Sequence, residues 1–315
     1  MTPPKLALHH ARQLGTLAGL LLLVTVLAIL SPHFLTPGNL LTVLEQTAIN
    51  AIIAVGMTFV IISAGIDLAV GSVLALAGIV LGLLLQAGVP VPVALLLTVG
   101  AGGLCGSVNG LLVTLGRLPP FIATLGMMSM ARGAALLLTQ GRPISGFDSG
   151  FRTLATGQWL HLPAPTLIML GVYAAAHFLL TRTRFGLYTY AMGGNEQATH
   201  LAGINVPFHK TAIYMLSGCT SAVAAIVLTA RLNSAQPIAG IAYELDAIAA
   251  TVIGGTSLMG GQGTLVGTLI GALIMGVLKN GLNLLGVSSF LQQIIIGGVI
   301  IAAVLFDTLV KQRRS

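Results

Sequence analysis

The chain has 315 residues, 56% of them apolar and 7% charged, with a formal net charge of +7. Soluble domains hold roughly 25% charged residues and about 45–50% apolar ones, so this composition excludes a soluble surface over most of the chain. Stretches of about 20 apolar residues recur, each able to cross a bilayer as a helix, and the alternating pattern of a membrane β-barrel is absent. The class is an all-α polytopic membrane protein in one domain, 1–315, and its basic surplus reads as loop anchors, not as a nucleic-acid surface.

Ten spans are predicted, near 14–30, 42–62, 69–86, 91–115, 120–139, 166–180, 211–230, 244–258, 263–285 and 290–310. The first could imitate a signal-peptide core. Ser31-Pro32-His33-Phe34 follows it without a small-x-small cleavage site, so it reads as a retained span. Between the second and third spans lies Ser63-Ala64-Gly65-Ile66-Asp67-Leu68-Ala69-Val70-Gly71-Ser72. An acid left charged in lipid costs several kcal/mol. Two roles fit: Asp67, with Ser63, at a polar cavity or gate in a broken helix, or Asp67 as the N-cap of the next span.

In the fourth span Asn109 follows Gly102 and Gly106 and precedes Gly110, a small-residue run that lets helices approach closely. Asn109 suits an inter-helix hydrogen bond or a polar path. Arg132 in the fifth span needs a carboxylate, carbonyls or water. The segment 140–165, with Asp148 and Trp159, offers a place for an extracytoplasmic partner to dock. The span at 244–258 is short and carries Glu244 and Asp246, which suits a re-entrant or partly aqueous segment. Asn280 and Asn283 are three apart and share a helix face, placed to line a path for a hydroxylated solute or to bond neighbouring helices.

One polar stretch stands out, Thr181 to Lys210. Within it Gly193-Gly194-Asn195-Glu196-Gln197-Ala198-Thr199 reads as the start of a short helix. Asn195 is a good N-cap, Glu196 sits where the helix dipole favours an anion, and Gly203 is placed to end the helix. Ten spans put both termini on one side. With the termini inside, Lys5, Arg12, Arg117, Arg182, Arg184, Lys210, Lys311, Arg313 and Arg314 are cytoplasmic, and only Arg142, Arg152 and Arg231 are outside. The 181–210 loop is then cytoplasmic, and its Arg182, Arg184 and Lys210 read as topology anchors. Gly65–Ser72 also aligns with Gly261–Thr268, which suggests a parallel repeat around 42–139 and 211–310.

No catalytic set is visible. The seven histidines show no ligand spacing, Cys105 and Cys219 lie among small apolar residues, and no GxSxG occurs. None of the four lysines follows a glycine, so there is no phosphate loop. If ATP drives this protein, another chain binds it.

SAGIDLAVGS (63–72), PPFIATLGMMSMARGAALL (119–137), GGNEQATHLAGINV (193–206) and the block from Arg231 to Ser289 resemble the membrane permeases of bacterial ribose ABC importers. The resemblance runs from about Ser31 to Asp307 and is closer to the ribose branch than to the galactofuranose or autoinducer-2 branches. It implies a vitamin-B12-importer-like fold of about ten spans in the bacterial inner membrane. It also implies a dimer of two permease copies, a cytoplasmic ATPase with two nucleotide-binding halves that holds ATP and Mg, and a periplasmic sugar-binding protein. Gly193, Gly194, Asn195, Glu196, Gln197, Ala198, Thr199 and Gly203 then belong to the coupling helix, which sits in a groove of the ATPase, and no cofactor sits on this chain. The chain departs from the ribose pattern at His200, where arginine is usual, at Ala64 for glycine and at Ala69 for serine. The expected cargo is ribose; xylose, galactose or the autoinducer-2 furanose are alternatives, as is a self-sufficient secondary sugar carrier.

Overall fold

The computed structural model describes the backbone over residues 3–159 and 162–312, and side chains over 14–158 and 162–305. The anchors Lys5, Arg12, Lys311, Arg313 and Arg314, as well as Trp159, lie outside the described side chains. The described helices are α1 (Pro3–Leu30), α2 (Pro37–Ile62), α3 (Val70–Gln86), α4 (Val91–Thr114), α5 (Pro120–Thr139), α6 (Ser149–Thr156), α7 (Ala164–Arg182), α8 (Arg184–Gly194), α9 (Glu196–Leu201), α10 (Val206–Leu232), α11 (Tyr243–Ile253), α12 (Leu265–Leu284) and α13 (Ser289–Gln312). Four two-residue strands, β1 (Ile144–Ser145), β2 (Gln158–Trp159), β3 (Leu162–Pro163) and β4 (Ser234–Ala235), form two antiparallel pairs, β1 with β4 and β2 with β3.

Proline opens α2, α4, α5, α7 and α10, at a first or second position where its missing N–H has no intrahelical partner to lose. Among the described residues, six helices are individually long and apolar enough to cross a membrane: α2, α4, α5, α7, α10 and α12. α3 and the described apolar parts of α1 and α13, Leu14–Leu30 and Ser289–Leu305, are shorter apolar stretches. Each of the ten predicted spans coincides with a helix, but one prediction needs correction. The segment expected at 244–258 is the 11-residue α11, about 17 Å long and roughly half the thickness of a hydrocarbon core.

The core is built around α2, whose most apolar 18-residue window is 83% buried. Around it stand α7, α10, α11 and α12. Tyr173 of α7 donates to the Ala51 carbonyl at 3.1 Å, and Thr58 and Thr268 of α12 pair hydroxyls at 2.8 Å. On α4, Gly102, Gly106 and Gly110 lie directly on the backbone of α10 at Gly218, Tyr214 and Thr211, so the expected small-residue face is the α4–α10 contact.

Further contacts mark the two ends of the bundle. At one end, the α9 end, Gly261 N–H donates to the Ile62 carbonyl at 2.8 Å, and Gly193 packs against both residues. At the other, the α6 end, β1 pairs with β4, and the Phe147 N–H donates to the Asn233 side chain at 3.1 Å. The segment 140–165, expected as a docking place for an extracytoplasmic partner, carries β1, α6, β2, β3 and the start of α7. Asp148 caps α6 by accepting from the Gly150 N–H at 2.8 Å.

Two segments break the helical pattern inside the bundle. After α2 stops, residues 63–69 turn back, so that Asp67 lies beside Ser217, near the middle of the 27-residue α10, and α3 begins there. From the α6 end, residues 236–242 run inward until Gly240 meets Gly71 backbone to backbone, and α11 begins there. The predicted boundary at residue 69 is therefore a helix start at mid-depth, not at the cytoplasmic surface. Irregular backbone at that depth is tolerated only where protein or a wet cavity satisfies it. Here Arg132 of α5 does so, donating through Nη1 to the Pro237 carbonyl at 2.6 Å and the Ala239 carbonyl at 2.7 Å.

Candidate functional site

The stretch expected as a polar loop, 181–210, is almost wholly helical: the end of α7, then α8, α9 and the first turn of α10. α8 was not foreseen. It anchors the region, with the Tyr190 hydroxyl donating to the Gly263 carbonyl at 2.7 Å. Burial among apolar neighbours pushes that phenol up to about 12.

α9 itself matches the residues expected to shape it. Asn195 is the N-cap, its side chain accepting from the Ala198 N–H at 2.9 Å. Gly203 follows the helix at φ +83°, and its N–H donates to the His200 carbonyl at 3.0 Å. The Thr199 hydroxyl turns inward onto the Asn195 carbonyl at 2.8 Å. Gly194, Asn195, Gln197, Ala198 and His200 face outward, and Leu201 is 87% exposed. An exposed leucine on a short helix held by caps at both ends makes a rigid knob with an apolar tip, suited to seating in a partner's groove.

Lys210 is not a free topology anchor. Its side chain is 9% exposed and its Nζ donates to the Glu196 carboxylate at 2.6 Å. Arg182 and Arg184 are exposed. Sequence spacing alone did not join positions 196 and 210, because the pair forms only when α9 folds back onto α10.

The second candidate site is the mid-depth junction of the two broken segments. Asp67 is 3% exposed and accepts from the Ala69 N–H at 3.0 Å and from the Ser217 hydroxyl at 2.7 Å. The Tyr214 hydroxyl donates to the neighbouring Ile66 carbonyl at 3.2 Å. Ala69, not Asp67, occupies the cap position of α3, so Asp67 holds the turn before the helix and bonds across to α10. Glu244, in the first turn of α11, brings its carboxylate against Gly71 in the first turn of α3. Helix N-termini favour a nearby anion.

Beside the junction, Asp246 of α11 forms an ion pair with Lys279 of α12 and accepts from the Asn50 side chain at 3.2 Å. Gln46, Thr47, Asn50, Asp246 and Lys279 line a cavity of about 30 Å³, room for about two waters and too small for a sugar. Thr47 Oγ1 and Asn50 Oδ1 have no hydrogen-bond partner there. The ion pair leaves this cluster with no net charge at a depth where an isolated ion would be costly. The predicted set did not include Asp246 or Asn50. Asp246 sits in the segment whose acids first marked it as partly aqueous.

The other predicted path residues do not converge on these sites. Ser63 is buried and donates to its own helix at the Val60 carbonyl, 2.8 Å away. Asn280 and Asn39 of α2 exchange amide hydrogen bonds at 2.9 and 3.0 Å, which clamps α12 to α2. Asn283 faces outward and accepts from Gln292 of α13 at 2.8 Å. The two asparagines therefore serve different neighbours. Asn109 is 1% exposed, and neither atom of its amide finds a partner, so the expected inter-helix hydrogen bond is absent.

The family described as branched-chain amino acid transport system / permease component matches residues 39–304. The chain is 50% identical to the ribose import permease protein RbsC of Bacillus subtilis, over 94% of this chain and 92% of that one. It is 40% identical to the D-allose transport system permease protein AlsC of Escherichia coli, over 95% and 92%. Identity with the galactose/methyl galactoside import permease protein MglC of Escherichia coli is 36%, over 98% and 97%. No solved structure matches the chain.

Proposed function

Because the chain belongs to the branched-chain amino acid transport system / permease component family, we propose that it is the membrane permease of an ATP-driven importer that carries ribose into the cytoplasm. The observation that carries the proposal is 50% identity, over nearly the full length of both chains, with a protein named as a ribose import permease.

On this proposal the chain crosses the bacterial inner membrane ten times in a vitamin-B12-importer-like arrangement, with both termini in the cytoplasm and the two halves related by a parallel repeat. Two copies form the pore. A cytoplasmic ATPase with two nucleotide-binding halves supplies the phosphate loop that this chain lacks, and a periplasmic protein delivers the sugar at the α6 end. Glu196, Gln197, Ala198 and Leu201 of α9 meet the ATPase, while Gly193, Gly194, Asn195, Thr199 and Gly203 give α9 its shape and seat.

The junction of α3 and α11 is the gate. Transporters place substrate sites near the midplane, where broken helices begin. Here two helices begin at that depth and touch at Gly71 and Gly240. ATP binding on the partner and the loaded binding protein must favour different permease states, since a ligand with equal affinity for both shifts nothing. No bond of the sugar is broken.

The test is reconstitution of the permease with its ATPase and binding protein in liposomes. Ribose is expected to raise ATP hydrolysis and to accumulate inside only with ATP, and D-allose is the comparison sugar. Stimulation by D-allose with none by ribose would reassign the cargo. Accumulation driven by an ion gradient in liposomes holding this chain alone would overturn the proposal.

A further inference from the structure

Lys210, Tyr214 and Ser217 are spaced four and three apart on α10, so one face of the helix carries all three. Between them the side chains hold two parts of the molecule, α9 and the turn between α2 and α3. Lys210 donates to Glu196 of α9 at 2.6 Å, Tyr214 to the Ile66 carbonyl at 3.2 Å and Ser217 to the Asp67 carboxylate at 2.7 Å. Tyr214 and Ser217 are fully buried, so water does not compete for their two bonds, whereas Glu196 stands half exposed at the α9 end of the face.

The same turn is gripped from a second side. Gly193, at the entry to α9, lies on the Ile62 carbonyl and on Gly261, and Gly260 lies on the Gly193 carbonyl and on Ala64. Ala64 holds φ +60°, a left-handed conformation that costs a non-glycine residue energy, and it persists only when its surroundings impose it. The segment 63–69 thus touches the α9 end through Ala64 and mid-depth through Asp67. Two residues after Ala69 comes Gly71, which meets Gly240.

We propose that Asp67 is a positioning residue of transport: with Ser217 and Tyr214 it ties the turn between α2 and α3 to the α10 face that Lys210 ties to α9, so that displacement of α9 reaches the Gly71–Gly240 contact. A carboxylate suits this role because its two oxygens take two different donors. Oδ1 takes the Ala69 N–H at the start of α3, and Oδ2 takes the Ser217 hydroxyl on α10. Both bonds are buried and reach different elements, so the turn follows α10 instead of sliding along it. The small residues of the α4–α10 contact let α10 bear closely on its neighbour as it moves.

The proposal rests on the importer function above. The experiment measures ribose moved per ATP hydrolysed in liposomes holding the full complex. Ser217→Ala is expected to lower that ratio at least threefold relative to wild type, and Ser217→Thr, which keeps the hydroxyl, to restore it. Because Ser217→Ala leaves the Asp67 carboxylate short of a donor, the double variant Asp67→Ala/Ser217→Ala serves as a second case; with both partners removed, it should assemble and show the same low ratio. A purely structural role would reduce the amount of assembled complex and leave the ratio unchanged, and an unchanged ratio in the assembled variants overturns the proposal. A wild-type complex that hydrolyses ATP and moves no ribose overturns the importer assignment, and this inference with it.

Discussion

α9 and the junction of α3 with α11 make opposite use of the chain. α9 is six residues long, is largely exposed, and is shaped mostly by its own neighbours: the Asn195 cap, the inward Thr199 hydroxyl and the left-handed Gly203. The junction is buried and is assembled from segments about 170 residues apart in sequence, Gly71 against Gly240, with Arg132 from a third element holding the backbone. A surface offered to another protein must keep its shape without neighbours, so local caps serve it. A break in a helix inside a membrane must have its freed backbone groups satisfied by distant parts of the fold. The two regions should therefore fail differently when changed.

The largest effect is expected from Gly240→Val. The residue sits at φ +71°, and a Cβ there would run into the Gly71 carbonyl. Backbone strain and a backbone clash act together, and the variant should yield no monodisperse protein on size exclusion in detergent. Gly203→Ala carries a similar φ, +83°, but has open space where the Cβ would go. Its cost should be only the left-handed strain, about 1–2 kcal/mol confined to the end of α9. Equal losses of folded protein in the two variants would break the contrast between the regions.

Next comes Glu196→Arg, which sets a second cation against Lys210 and opposes the dipole of α9. The protein should still fold and insert, with sugar-stimulated ATP turnover down about tenfold or more, equivalent to roughly 1.4 kcal/mol of coupling. Normal stimulation would sink the coupling role. The exchange Glu196→Lys with Lys210→Glu rebuilds the ion pair. Recovery in the exchanged variant would assign the loss to the pair that orients α9, and continued loss would assign it to a contact with the ATPase.

The smallest effect, and one of opposite sign, is expected from Ala64→Gly. Glycine enters the left-handed region without the Cβ penalty, so thermal unfolding of the purified protein should shift upward by the equivalent of about 1 kcal/mol. Lower stability would mean that the Ala64 methyl, packed near Gly260, contributes more than its backbone conformation costs.

Much of the α9 region was legible in the residues. Asn195, Glu196 and Gly203 announce a short helix because caps act over three or four residues, within reach of a motif. The pairing of Lys210 was not legible, because a basic residue near a span looks alike whether it faces water or pairs with Glu196. In the interior, Asp67 was visible as an acid among apolar residues, but its partner Ser217 lies 150 positions away on a helix whose other serines and threonines look equivalent. Asn280 and Asn283 share a face by period, yet α2 and α13 divide them.

By itself the sequence determined the membrane class, the run of apolar segments and the capped helix between α8 and α10. Each follows from apolar length or from rules that act within a few residues. Only the tertiary structure decided that α3 and α11 begin at mid-depth and meet there. The hydropathy of a half-crossing differs little from that of a short full one. What distinguishes them is which distant carbonyls, glycines and hydroxyls stand beside the break: Arg132 on Pro237 and Ala239, Gly71 on Gly240, and Ser217 on Asp67.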